Sequence, residues 1–201
     1  MILLIILVLA GGILFGYFLL PPTFVALAVT SSHWILYLML FLIGADMAFT
    51  GDIWGRLKKM PKLVFCLPVF SIAGSILGGA LIGLILNLGF WQGAAIGGGM
   101  GWYSISGAIL TESLGAQYGA IAFLTNIIRE LLTFLLIPLL FELDIGIAAI
   151  TIGGATTMDT TLPIISRYGG SNVTMISILH GVVCSAAVPI LLPLLASFVV
   201  L

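Results

Sequence analysis

Residues 153–163 read GGATTMDTTLP and residues 97–107 read GGGMGWYSISG, each set within a long apolar run. Glycines cost helix stability, and short hydroxyl side chains compete for backbone hydrogen bonds, so neither stretch makes a good continuous helix. Irregular backbone at membrane depth is tolerated only where it is buried in protein or lines a wet cavity. Both stretches therefore predict broken helices, whose freed N–H and C=O groups and half-helix ends can hold ions or polar solute groups. Glycine in a membrane helix also serves close packing, but that reading leaves Asp159 unexplained.

The rest of the chain supplies the membrane. Of its 201 residues, 62% are hydrophobic and 6% charged, against roughly 25% charged in an ordinary soluble domain, which excludes a soluble surface. With a net charge of -1, nothing argues for nucleic-acid binding, which needs a basic patch to neutralise phosphates. Cys66 and Cys184 belong to no metal or redox pattern and read as packing residues. The N-terminus lacks a basic stretch and a small-residue cleavage site, so it reads as a retained spanning helix rather than a signal peptide.

Because a spanning helix needs about 20 apolar residues, cutting at polar and Pro/Gly punctuation predicts an all-α integral membrane protein with about seven spans. These fall near 2–20, 33–50, 62–87, 91–113, 118–141, 146–166 and 171–200. Arg56, Lys58, Lys59 and Lys62 place the loop after the second span in the cytoplasm. Seven crossings then put Arg167 inside and Glu142 and Asp144 outside.

Charges inside those spans mark the candidate site. Asp46, Arg129, Glu130 and Asp159 each cost about 2.5–3.5 kcal/mol at mid-membrane on insertion scales. Asn126, Arg129, Glu130 and Thr133 share one helix face by their spacing, a face expected to look into the protein or a cavity. An Arg129–Glu130 ion pair serving packing alone is the competing reading. Glu112 can reach the cytoplasmic interface or the site, and His180 reads either as a hydrogen-bonded packing residue or as a proton carrier. Trp102 and Tyr103 fit an interfacial belt or a surface that stacks on a solute beside Ser104 and Ser106.

The strings GMGWYSISGAILTES, NIIRELLTFLLIP, GGATTMDTTLPIISRYGG and LHGVV…VPIL, in that order, resemble the LysO family of bacterial and archaeal lysine exporters over roughly residues 30–200. The resemblance implies export of L-lysine and its analogue thialysine across the inner or plasma membrane, driven by an ion gradient, with protons expected and sodium the alternative. It also implies a relation to bile-acid/sodium symporter and sodium/proton antiporter folds, in which broken helices of two inverted repeats cross at the midplane. In that frame residues 62–201 form one five-helix repeat and residues 2–50 the end of the other. Gly11-Gly12 and Gly16 would then face the 153–163 break, with Asp46 and His180 as symmetry mates. About three helices are absent, so a small membrane subunit or a second copy of the chain is the expected partner.

Lysine carries two ammonium groups and a carboxylate. Asp159 and Glu130 are expected to hold ammonium groups or protons, and Arg129 or N–H groups near Thr156 and Thr157 the carboxylate. Asp46 is a further candidate carrier, and no metal or cofactor is expected. A small membrane-embedded enzyme, acyltransferase or protease-like, would use Ser104 or Ser106 with His180 or Asp159, but no GxSxG or HExxH motif occurs. A non-transporting subunit of a larger membrane complex is the third reading.

Overall fold

The computed structural model describes residues 2–18, 61–200 and the isolated positions 21, 24, 34, 38, 41, 42, 45, 49, 55, 58 and 59. Contacts divide the chain into a unit over Met1–Ile53 and a unit over Trp54–Leu201. In the first, helix α1 (Ile2–Phe18) runs through Gly11, Gly12 and Gly16 without interruption. These glycines therefore do not form the second broken helix expected of them, because neighbouring Leu, Ile and Phe residues keep the run helical. Asp46 lies outside the described residues.

The second unit is all-helical among its described residues. A 3-10 turn (Lys62–Cys66) leads into α2 (Leu67–Ile85), with Pro68 in the first turn where its missing N–H is harmless. Then come α3 (Phe90–Gly97), α4 (Tyr103–Leu114), α5 (Ala116–Glu142) and α6 (Gly146–Gly153). A 3-10 turn (Gly154–Met158) separates α6 from α7 (Leu162–Val200), which is kinked at Gly170. The 91–113 span thus consists of two helices, and α6 and the first part of α7 are the two halves of another. Among the described residues, three helical stretches are long and apolar enough to cross a membrane by themselves: Val64–Ile85, Ala116–Glu142 and Leu162–Val199. The chain is a multi-pass membrane protein, and its exposed Leu77, Ile85, Ile190 and Phe198 form a surface suited to lipid.

Small residues set the helix contacts. Ser71, Ser75, Gly79 and Gly83 recur every fourth position along α2, and Gly93 and Gly97 do so along α3. A Cβ on Gly83 would sit 2.7 Å from the Gly93 Cα, and one on Gly97 would sit 3.0 Å from the Gly79 Cα, so the two backbones touch directly. Hydrophobic surface gains nothing by leaving lipid, and close van der Waals contact of this kind is what holds membrane helices together. Gly107 and Gly119 make a similar contact between α4 and α5.

Two apolar clusters flank a polar layer. Met100, Leu110, Ala122, Cys184, Val188 and Leu192 belong to one; Ile137, Ile150, Ile165 and Ile176 belong to the other. Along α5, Asn126 to Thr133 separate Ala122 from Ile137, and along α7, Ser177 and His180 separate Ile176 from Cys184. The site lies at the level of this layer.

Candidate functional site

The two broken spans cross at their breaks. The Ala155 N–H donates to the Met100 carbonyl at 2.8 Å, joining the 98–102 break to the 154–161 break. A Cβ on Gly101 would lie 2.9 Å from the Gly153 carbonyl oxygen, and one on Gly154 would strike the Met100 carbonyl. Both glycines also have positive φ, 90° and 63°, which L side chains rarely adopt. The crossing therefore requires glycine on sterics and on backbone conformation together.

Side chains satisfy the backbone freed at each break. At the first, the Asn126 amide oxygen accepts from the Gly101 N–H at 2.6 Å. Its amide nitrogen donates to the Ala122 carbonyl (2.8 Å), the Ser106 hydroxyl (3.2 Å) and, at longer range, the Ile96 carbonyl (3.5 Å). At the second, the Thr157 hydroxyl contacts the Gly154 and Ser177 carbonyls and His180 Nδ1, while the Ser177 hydroxyl donates back to the Thr157 carbonyl at 2.8 Å. Thr156 and Thr161 bond each other and the carbonyls of Gly153 and Thr156. Among the described residues no buried side-chain nitrogen or oxygen lacks a partner, as low-dielectric surroundings demand.

Beside the crossing lies a cavity of about 160 Å³ lined by Trp102, Tyr103, Ser104, Thr156, Asp159 and Thr160, with Met158 and Ser185 also at its wall. One water takes about 30 Å³ of liquid, so the cavity fits the polar end of a small solute. Asp159 stands at its wall, with one carboxylate oxygen accepting from the Thr160 N–H at 2.5 Å. Glu130 interacts with the Thr160 side chain and with the Asp159 charge, and Tyr103 is within electrostatic reach of both carboxylates. The first turn of α4 carries Ser104, which adds the positive end of a half-helix to the same cavity.

Arg129 is engaged elsewhere. Its Nε donates to the Ile152 carbonyl at 2.6 Å, Nη2 to the Thr151 carbonyl at 3.2 Å and Nη1 to the Ser75 hydroxyl at 2.8 Å. The guanidinium thus faces the carbonyl end of α6, where positive charge is favoured. Hydrogen bonds to a charged group contribute about 1.5–3 kcal/mol each, enough for three of them to offset the insertion cost of one arginine.

The residues named from sequence therefore fall into groups. Trp102, Tyr103, Ser104, Thr156 and Asp159 meet at the cavity, and Glu130 joins them through Thr160. Asn126, Ser106, Thr157 and His180 are buried and hold the breaks in shape; His180 is 1% exposed, between Thr157 and the Cys184 sulfur at 3.7 Å. Glu112 is exposed near the end of α4 and does not line the cavity, because it lies two turns, about 12 Å, further along the helix than Ser104. Arg129, expected at a solute carboxylate, bonds α6 and Ser75 here. Thr160, Ser185, Ser71 and Ser75 were not anticipated; the fourfold spacing of the two α2 serines with Gly79 and Gly83 was the available signal. Among the described residues, no three His, Cys, Asp or Glu side chains converge as metal ligands.

The sequence profile of a family described as lysine exporter LysO matches residues 6–196. The lysine exporter LysO of Escherichia coli (strain K12) is 36% identical over 165 residues, covering 82% of this chain and 54% of that protein. A putative lysine exporter of Haemophilus influenzae is 34% identical over 168 residues, covering 84% of this chain and 85% of that protein. The chain thus spans about half the length of the E. coli relative. No solved structure matches it.

Proposed function

The chain belongs to the lysine exporter LysO family, a family of transporters rather than enzymes, and on that premise we propose that it exports L-lysine and thialysine from the cytoplasm by secondary transport. The observation that carries this reading is the cavity at the crossed breaks, where Asp159 stands at the wall beside a half-helix N-terminus and Glu130 lies behind Thr160. Asp159 and Glu130 receive the ammonium groups of lysine. Trp102 and Tyr103 offer ring faces to the same cations. The carboxylate is held by N–H groups near Thr156 and Thr157 or in the first turn of α4, with the Ser104 hydroxyl, since Arg129 is already bonded within the protein.

Coupling is to protons, with sodium as the alternative. A cation arriving at a carboxylate displaces the proton bound there, which couples the two movements without direct contact between them. The chain crosses the membrane seven times; the inverted-repeat relation to bile-acid/sodium symporters implies crossed breaks from two repeats, whereas both breaks that cross here lie within residues 62–201. The chain acts with a small membrane subunit or with a second copy of itself, and Asp46 serves as a second proton or ion carrier.

Uptake of labelled lysine into inverted membrane vesicles holding this chain, with and without an imposed proton gradient and with candidate subunits, tests the reading. Accumulation that depends on the gradient is expected. No uptake under any of these conditions would assign the chain to another solute or to a non-transporting role.

A further inference from the structure

The carbonyl end of α6 is held by two side chains from two other helices, one of them braced by a third. Besides the two bonds from Arg129 on α5, the Ser71 hydroxyl of α2 donates to the Thr151 carbonyl at 2.8 Å, and Ser75, one turn further along α2, receives Arg129 Nη1. Nε and Nη2 form the side-on fork of a guanidinium, the edge that grips a carboxylate in two parallel bonds. Here the successive carbonyls of Thr151 and Ile152 fill that fork. A Cβ on Gly154 would lie 3.2 Å from Nη2, so the guanidinium also borders the break itself.

We propose that Arg129 is a positioning residue which, with Ser71 and Ser75, fixes the carbonyl end of α6 and hence the level of the 154–161 break, and which makes no contact with the transported solute. The inference rests on the export reading for its transport test and on geometry alone for its stability test. Its physical basis is that α6 has only eight residues and stops inside the membrane, so its last carbonyls need donors that water would otherwise supply. Arg129 supplies them with a charge of the sign that the helix end favours. Asp159 follows six residues after Gly153, so the position of the α6 end sets where the carboxylate stands in the cavity.

The experiment compares Ser75→Ala, Ser71→Ala, Arg129→Lys and Arg129→Gln with the unaltered chain, using lysine and the diamine formed by its decarboxylation as alternative solutes. If Arg129 positions α6, the maximal rate falls and any change in KM is shared by lysine and the diamine, so the preference for lysine over the diamine is kept. Ser75→Ala then shows the same kind of loss as Arg129→Lys, and Lys recovers part of what Gln loses. If Arg129 instead gripped the solute carboxylate, its variants would raise KM for lysine about ten- to hundredfold and abolish the preference, with Ser75→Ala silent; that result overturns the proposal.

Thermal unfolding of the intact chain in detergent supplies the second readout. Ser75→Ala and Arg129→Lys should be non-additive, the double variant losing less than the sum of the two single losses. Additive losses overturn the clamp whatever the chain transports. Should the unaltered chain move neither solute, the export reading fails and the unfolding comparison alone decides the inference.

Discussion

Replacing Asn126 by Leu should destabilise the protein through the first break. The side chain is 2% exposed and is the acceptor for the Gly101 N–H at 2.6 Å, in a backbone segment that has left the helical pattern. Ala122 still accepts its helical bond and Ser106 still donates to the Tyr103 carbonyl, so the loss concentrates at one stranded N–H and two short donor contacts. A buried donor left without a partner costs about 1–3 kcal/mol, and each ordinary bond lost adds about 1 kcal/mol. A total of about 3–5 kcal/mol follows, which lowers the unfolding temperature by about 6–20 °C at the roughly 2–4 °C per kcal/mol of a chain this size. The assay is thermal unfolding of the purified chain in detergent, alongside lysine uptake. An unfolding temperature within about 1 °C of the original would refute the assignment of Asn126 as the clasp of this break.

Three further outcomes follow from the same geometry. Gly83→Ala forces a Cβ to 2.7 Å from the Gly93 Cα, and the resulting separation of α2 from α3 should cost about 1–3 kcal/mol, read as a lowered unfolding temperature. His180→Asn, which can place a polar atom near the Thr157 hydroxyl, should keep lysine uptake, whereas His180→Leu should lower stability; loss of uptake in a well-folded Asn variant would make His180 a proton carrier. Glu112→Gln should leave both the rate and the KM of uptake unchanged, since the residue is exposed and away from the cavity.

The broken helices were legible because glycine and hydroxyl residues interrupt strongly apolar runs at 97–107 and 153–163, and no continuous helix explains an aspartate there. That these two breaks cross each other was not legible. The bond from the Ala155 N–H to the Met100 carbonyl joins residues far apart in sequence through backbone atoms, which leave no side-chain signature. Asn126 to Thr133 were recognisable as one polar face, yet the face divides three ways: Asn126 turns to the first break, Arg129 to the end of α6, and Glu130 towards Thr160 and Asp159. Adjacent helical residues point about 100° apart, so a shared stripe cannot say which neighbour each side chain meets. Gly11 and Gly12 show the converse, since a glycine pair in an apolar run carries no information about a break unless polar residues accompany it.

The measurement closest to the central claim is lysine uptake by the Asp159→Asn variant in inverted vesicles under an imposed proton gradient, with membrane insertion checked in the same preparation. Asn keeps the shape of the side chain and its contact with the Thr160 N–H while deleting the charge proposed to receive the ammonium group. The account predicts normal insertion with uptake abolished. Undiminished, gradient-dependent uptake would contradict it and remove the crossed-break cavity from the transport path.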